Sequence, residues 1–385
     1  MSRVRSAVLF ASILGALVLC PYGAASASAS GGERASASES PALSPCDLNA
    51  GPRYRCGRIT VPAVRGAPSL GDQSIFFAVR TALGLGPITL YGDSYGTLLA
   101  QAYSVRYPSS LRSLVLSSAY PADDAFWRTI YPAAMQALKL SCARSSSCRA
   151  RAKSLCGKKG LRCSWDGEQR FRHALARIQR AGGPLNGTLA YLLEAGTWSP
   201  NSYLALNRAV TEYLAGDPER LDHIAREGRP GDGDFHYFST GMGTAVECND
   251  YPVAWDRTAD FAQRTAQLDQ AIAAFPGRRL FAPLTVSQWM TLPATGLTGC
   301  LAWPPPTALM RPPVPAGATQ PAGLPVLVLS GEFDDITTVR EARQVSRLYP
   351  SSRLRVVPNR GHVSDLYYPH RSPAVGWIRR FVASH

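Results

Sequence analysis

The clearest pattern in the chain is a short apolar run that leads through a glycine-flanked serine into a helical periodicity. Residues 88–91 form a strand-like run, and Gly92-Asp93-Ser94-Tyr95-Gly96 follows directly. From residue 97 to 107 the apolar side chains recur at helical spacing until Pro108, and a proline ends such a pattern. This stretch predicts a strand, a tight turn at Ser94 and a helix.

Further strands and helices are predicted on both sides of this stretch. The strand patterns cover residues 58–61, 111–116, 326–330 and 354–357, and the helical patterns cover residues 74–85, 338–348 and 374–382. In residues 74–85 the helical assignment depends on four apolar side chains that share one helical face, Ile75, Val79, Ala82 and Leu83. Strands that alternate with helices are typical of an α/β protein.

Residues 122–323 differ from the rest, because helical windows separated by Gly and Pro replace the alternating pattern. The windows cover residues 126–140, 169–180, 202–214 and 266–275, and a Pro-rich stretch at 304–325 ends the region. We therefore predict an α/β core in two parts, residues 46–121 and 324–385, with a large helical cap inserted between core strands. The alternative is a helical domain with no role in binding.

The first 27 residues have the three parts of a secretory signal peptide. Two early arginines precede an apolar stretch at residues 7–20, and small residues at 25–27 suit cleavage. Residues 28–45 are rich in Ala, Ser and Gly and are predicted to be a disordered leader. No later apolar stretch is long enough to span a membrane. We expect a secreted protein, either extracellular or associated with the cell wall.

Eight cysteines follow the signal peptide, and an even number in an exported chain predicts disulfides. Pairing of near neighbours leaves one distant pair, although other connectivities remain open. These pairs are Cys46–Cys56, Cys142–Cys148, Cys156–Cys163 and Cys248–Cys300. No histidine lies at zinc-ligand spacing beside them, and the sequence predicts neither a metal nor another cofactor.

The chain is basic, with a formal net charge of +14 and one local cluster of basic residues at 144–162. This charge is typical of a solvated surface. The more specific interpretation is a weak attraction to anionic cell-wall polymer. No nucleic-acid recognition motif accompanies it. The sequence leaves the oligomeric state undefined.

The Gly-x-Ser-x-Gly sequence between a strand and a helix has the form of the nucleophile elbow of an α/β-hydrolase. In such an elbow the serine Oγ is exposed on a strained turn. Side chains at Gly92 and Gly96 are expected to collide with the neighbouring strand and helix. Ser94 is therefore the candidate nucleophile, and the Tyr95 backbone N–H is a candidate oxyanion donor.

A serine nucleophile needs a histidine base and an acid that orients it, and in this fold their chain order is Ser, acid, His. His362 follows a predicted strand after Gly361 and is the candidate base, while His370 and His385 are later alternatives. Asp334 follows the strand at 326–330 and is the candidate acid. Asp335 and, less favourably, Glu332 are its rivals, and a turn or helix N-cap aspartate is the structural alternative for Asp334.

Five segments resemble one family of enzymes, the secreted α/β-hydrolases of the tripeptidyl aminopeptidase and proline iminopeptidase group. The segments are residues 90–97, 331–337 and 359–362 around the candidate triad, together with Cys248-Asn249-Asp250 and the stretch at 300–304. The resemblance covers residue 46 to the end. It implies an α/β-hydrolase core with Ser94 as nucleophile, Asp334 as acid and His362 as base.

The resemblance also implies cleavage of short residues from peptide N-termini, with a cap that selects free amines. Glu247 and Asp250 are candidates for binding the amine, although a salt bridge or a helix-end charge explains each equally well. An esterase that uses the same triad is the enzymatic alternative, because the cap sets the choice of substrate.

One region departs from the family pattern. Relatives carry a much longer segment between the Val61-Pro62 strand and the helix before the elbow, and this segment supplies the first strands and a Gly-Gly-Pro-Gly oxyanion loop. Here only residues 63–73 fill the gap, so the core is expected to be truncated. The elbow strand would then lie at an open sheet edge, and a non-catalytic secreted homologue is the alternative from another functional class.

Overall fold

The computed structural model describes residues 44–46, 54–62, 72–78, 86–123, 125–159, 166–198, 200–227, 240–292, 295, 297–306, 312–315, 317–367 and 370–385. The signal peptide lies outside these residues, as does all but the end of the predicted leader. The chain divides into two compact units at the Ile88/Thr89 boundary.

The smaller unit contains a three-stranded antiparallel sheet. Its strands are β1 (Ser44–Cys46), β2 (Tyr54–Pro62) and β3 (Asp72–Ala78), in the order β1-β2-β3. The predicted strand at 58–61 lies within β2. The predicted helix at 74–85 is wrong over 74–78, where β3 pairs with β2. Consecutive Ile75, Phe76 and Phe77 favour a strand, and a short apolar run does not separate strand from helix by periodicity alone.

The larger unit is built on a four-stranded parallel sheet. Its strands are β4 (Ile88–Asp93), β5 (Leu111–Ser117), β6 (Val326–Gly331) and β7 (Ser352–Val357), in the order β4-β5-β6-β7. β6 is buried throughout and β5 nearly so, which explains their continuous apolar sequences. Within this four-stranded sheet β4 lies at one edge and is only half-buried.

Helices flank and interrupt this sheet. The helices next to the strands are α1 (Tyr95–Arg106), α11 (Val339–Leu348), α12 (Ser364–Tyr367) and α13 (Pro373–Ser384). Those between β5 and β6 are α2 (Ile130–Arg144), α3 (Ser146–Lys159), α4 (Gly167–Ala181), α5 (Leu185–Trp198), α6 (Pro200–Leu214), α7 (Glu219–Glu227), α8 (Thr240–Asp250), α9 (Phe261–Ala273) and α10 (Val286–Met290).

The helical insertion has its own apolar core. Tyr131, Leu138, Phe171, Leu175 and Leu206 are buried in one cluster, which also takes in Phe333 from the loop after β6. The four predicted helical windows correspond to α2, α4, α6 and α9. A second cluster joins β5, β6 and β7 to α13 on one face of the sheet. The chain therefore combines a parallel sheet with a large helical insertion between core strands.

Two of the predicted disulfides are present. Cys142–Cys148 closes the turn between α2 and α3, and Cys248–Cys300 joins α8 to the segment after α10. The other two predicted pairs depend on side chains outside the described residues. Among the described helices, none combines the length and apolarity that crossing a bilayer requires.

Candidate active site

Ser94 lies on the turn between β4 and α1, with backbone angles of φ 48° and ψ −123°. Non-glycine residues rarely adopt a positive φ, and such strain is common at functional sites. The turn is fixed on both sides. The Ser94 N–H donates to the Ser117 carbonyl oxygen at 3.0 Å, and the Thr97 N–H donates to the Ser94 carbonyl oxygen at 2.9 Å. Ser94 is therefore held as the geometry of a nucleophile elbow requires.

The two glycines of the motif have different reasons to be glycine. A Cβ on Gly92 would overlap the Gly96 carbonyl oxygen and lie 2.8 Å from its carbon, so only glycine fits there. A Cβ on Gly96 would meet only the Asp93 Oδ1 atom, at 3.7 Å, which is an ordinary contact. The expected collision is therefore correct for Gly92 and wrong for Gly96 within the described surroundings.

Asp334 lies in the loop after β6 and is almost completely buried. Its carboxylate accepts the Thr337 N–H at 2.9 Å and the Thr337 hydroxyl at 2.8 Å. Both donors belong to the same loop as Asp334, so this loop itself fixes the orientation of the carboxylate. The helix that follows, α11, is capped by Thr338 and not by Asp334, which removes the N-cap explanation for this aspartate.

His362 brings the three separate loops together. Its Nδ1 atom lies 3.0 Å from the Asp334 Oδ2 atom, and its Nε2 atom lies 2.8 Å from the Ser94 Oγ atom. With the Nδ1 proton directed at the carboxylate, Nε2 is left to accept the serine proton. His362 and Asp334 are each only 2% exposed, so the contact between them is shielded from bulk water.

The other candidates for the acid and the base have different surroundings. Asp335 is buried beside the Tyr203 hydroxyl. Glu332 binds Arg144, His370 is exposed, and the ring of the C-terminal His385 bonds to the Phe381 carbonyl oxygen. His362 and Asp334 hydrogen-bond to each other, and His362 also contacts Ser94.

Tyr95 links the elbow to the helical insertion. It is the first residue of α1, where a backbone N–H has no acceptor within the helix. Its hydroxyl donates to the Asp250 Oδ2 atom at the end of α8, at 2.6 Å. The Tyr251 ring stands edge-on to Tyr95, and the Tyr251 hydroxyl lies 3.0 Å from that of Tyr120. These contacts place α8 directly beside the elbow.

The two predicted amine-binding acids differ in their surroundings. Asp250 accepts the Tyr95 hydroxyl and lies within electrostatic range of the Arg257 guanidinium. The Glu247 carboxyl, one turn earlier on α8, has no hydrogen-bond or ion-pair partner among the described residues. Burial raises the pKa of Glu247 to about 7, because a charge removed from water without a partner is unfavourable.

A polar cluster next to the elbow was not found from the sequence. The Asp365 carboxylate accepts the Tyr91 hydroxyl at 2.7 Å and the Ser117 hydroxyl at 2.6 Å. Burial, together with the charge of Asp365, raises the pKa of the Asp93 carboxyl beside Ser94. Tyr91 and Asp365 are 274 positions apart, so no local pattern connects them.

Two family models match the chain. Residues 72–157 match the model described as the alpha/beta hydrolase fold, and residues 286–382 match the model described as TAP-like protein. The matched segments contain Ser94 in the first case and Asp334 with His362 in the second. Together with the sheet order and the elbow, they indicate the α/β-hydrolase fold, with a C-terminal region similar to the TAP-like protein model.

Solved structures are similar to the chain at low identity. They include a proline iminopeptidase from Mycobacterium smegmatis (17% identity, 79% of this chain and 68% of that one, TM-score 0.28). A second is MGS-M2, an alpha/beta hydrolase from a deep-sea metagenome library (14% identity, 79% of this chain and 67% of that one, TM-score 0.31). A third is a thermophilic esterase from Thermogutta terrifontis (17% identity, 78% of this chain and 68% of that one, TM-score 0.25). No curated protein sequence matches the chain significantly.

Proposed function

We propose that the chain is a secreted serine hydrolase, an aminopeptidase that releases short peptides or single residues from peptide N-termini. The observation that supports this proposal most directly is the Ser94–His362–Asp334 arrangement, in which two hydrogen bonds connect residues from three separate loops. The site holds the groups that acyl transfer needs in the order that the chemistry uses them.

In the proposed reaction, the Ser94 Oγ attacks the scissile carbonyl carbon while His362 Nε2 accepts the serine proton. The Asp334 carboxylate holds Nδ1 and stabilises the imidazolium that forms. His362 then gives the proton to the leaving amine, so the peptide C–N bond breaks and an acyl-enzyme ester on Ser94 remains. A water molecule, deprotonated by His362, attacks this ester and releases the carboxylate product with regeneration of Ser94.

The developing oxyanion needs hydrogen-bond donors. The Tyr95 N–H at the start of α1 is the donor that we assign, helped by the positive end of the helix dipole. The second donor of this fold comes from a loop that the short segment at residues 63–73 does not supply by sequence. Loss of one such donor costs about 3–4 kcal/mol, or roughly 10²–10³ in rate. The second candidate is therefore a catalytically impaired homologue whose hydrolase core is truncated.

Glu247 is the stronger of the two candidates for binding a substrate ammonium group. It is half-buried without a described counter-charge, and a bound cation would relieve the cost of its ionisation. Asp250 already accepts the Tyr95 hydroxyl beside Arg257, so in this proposal it holds α8 against the elbow. The helices of residues 122–323, which include α8, act as the cap over the active site.

Parallel assays with fluorogenic substrates test this assignment. Aminoacyl and tripeptidyl amides with free N-termini, their N-acetylated forms and simple esters are given to the purified protein. Hydrolysis of the free amides above the acetylated ones supports an aminopeptidase, whereas hydrolysis of the esters alone assigns an esterase. Detection of the protein in the culture medium, with cleavage near residue 27, tests the secretion part of the proposal.

A further inference from the structure

The loops that carry Asp334 and His362 lie against each other at very short range. A Cβ on Gly331 would overlap the Gly361 carbonyl oxygen and lie 2.8 Å from its carbon. The Glu332 N–H donates to the Val357 carbonyl oxygen at 3.0 Å, and the Phe333 N–H donates to that of Arg360 at 2.8 Å. Backbone contacts alone therefore fix the spacing of the two loops, without any contribution from the Asp334 or His362 side chains.

A carboxylate and a guanidinium outside the triad join these two loops to the helical insertion. The Glu332 Oε2 atom accepts the Asn359 N–H at 3.0 Å. Arg144 donates Nη1 to Glu332 Oε2 at 2.6 Å and Nη2 to Oε1 at 2.7 Å. The same Nη1 also donates to the Asn359 Oδ1 atom at 2.6 Å. One side chain therefore holds both loops.

Arg144 is itself well anchored. It is the last residue of α2, and the Cys142–Cys148 disulfide closes the turn that follows it. Its guanidinium carbon lies 5.6 Å from the centre of the buried Phe333 ring. Hydrogen bonding from Arg144 lowers the pKa of Glu332, so the carboxylate is ionised at neutral pH. Isolated surface pairs contribute little to stability, but a two-pronged fork with a third partner also fixes geometry.

We propose that Arg144 and Glu332 are positioning residues that keep Asp334 and His362 in register with each other. Glu332 lies two residues before Asp334, and Asn359 lies three residues before His362, so movement of either loop changes the contact between acid and base. This inference rests on the proposed serine hydrolase function. A displacement of about 1 Å at a catalytic group reduces the rate by roughly 10²-fold.

The test compares Glu332→Gln and Arg144→Lys with a matched control, Glu212→Gln. Glu212 is likewise paired with arginine, since it accepts from Arg208 and Arg220 at 2.8 Å each and from Arg151 at 3.4 Å, but it lies on α6. We expect Glu332→Gln to lower kcat roughly 10- to 100-fold with KM unchanged within about twofold. Arg144→Lys keeps the charge but loses the two-pronged fork, so its kcat should lie between those of Glu332→Gln and the wild type. Glu212→Gln should leave kcat unchanged.

A second measurement separates this inference from the proposed function. The proton between His362 Nδ1 and Asp334 gives a downfield ¹H NMR resonance, assigned by its loss in Asp334→Asn. We expect the resonance to shift or broaden in Glu332→Gln and to remain in Glu212→Gln, whether or not the wild type turns over substrate. Wild-type kcat and resonance in a folded Glu332→Gln protein would overturn the inference. An inactive wild type with the shifted resonance would leave it standing and remove the hydrolase assignment.

Discussion

The His362 Nε2 atom lies 2.8 Å from the Ser94 Oγ atom, although the two residues are 268 positions apart in the chain. The contact depends on two loops at the carboxyl ends of parallel strands, the edge where this class of sheet places its ligands. The strain at Ser94 and the burial of His362 and Asp334 leave little freedom in the arrangement.

Asp334 and Asp335 form a natural pair for testing which carboxylate orients the base. Asp334→Asn should lower kcat by roughly 10³–10⁴-fold, because an amide cannot hold the same imidazole tautomer. Asp335→Asn should lower kcat far less, since the Asp335 side chain hydrogen-bonds to Tyr203, whereas Asp334 holds His362 Nδ1. Rates are measured per folded protein, with the folded fraction checked by circular dichroism. Equal losses in the two variants would contradict the assignment.

Gly92 and Gly96 should respond differently to the addition of one methyl group. Gly92→Ala should destabilise the protein by more than about 3 kcal/mol or prevent folding, because its Cβ meets backbone atoms of Gly96 that cannot move aside. Gly96→Ala should cost less than about 1 kcal/mol. Urea denaturation of the two variants provides the comparison. A Gly92→Ala protein as stable as Gly96→Ala would show that the turn is looser than described.

Glu247 should make the recognition of free amines dependent on pH. Burial raises its pKa to about 7, so the carboxyl becomes neutral as the pH falls below 7 and then attracts an ammonium group less. KM expressed as the concentration of the ammonium form of the free-amine substrate should therefore rise from pH 8 to pH 6, and Glu247→Gln should raise this KM at pH 8 and abolish the trend. KM for N-acetylated substrates serves as the control and should stay flat. The same trend in Glu247→Gln would exclude Glu247 as its source.

The two described disulfides should contribute unequally to stability. In the chain-entropy account the contribution grows with the length of the closed loop, and the sequence separations are 52 for Cys248–Cys300 and 6 for Cys142–Cys148. Paired Cys→Ser replacement should cost about 4 kcal/mol in the first case and about 2 kcal/mol in the second. Free energies of unfolding in urea test this order. The reverse order would indicate that native contacts of the short loop dominate.

Local patterns predicted most of the larger unit. The run before Ser94, the helix up to Pro108 and the strands at 326–330 and 354–357 all have sequences whose periodicity is decided within a few residues. The segment at 74–78 was mistaken for a helix because Ile75 was grouped with later apolar residues, whereas its immediate aromatic neighbours favour a strand. The rule of chain order selected three residues that do lie together.

Contacts between distant segments were beyond the reach of sequence patterns. Nothing around Arg144 indicates that it binds Glu332, 188 positions away, and Glu332 was therefore considered only as a weaker acid. The same holds for the Tyr95 hydroxyl on Asp250, 155 positions away. Such pairs arise when the sheet and the helical insertion pack, so they become visible only in three dimensions.

Labelling of the purified wild-type protein by a fluorophosphonate, followed by mass spectrometry, tests the central claim most directly. We predict one covalent adduct on Ser94, absent from Ser94→Ala and strongly slowed in His362→Ala, because the reagent reacts with a serine activated by a neighbouring base. A folded wild-type protein that gains no adduct, or one labelled at another residue, would contradict the account.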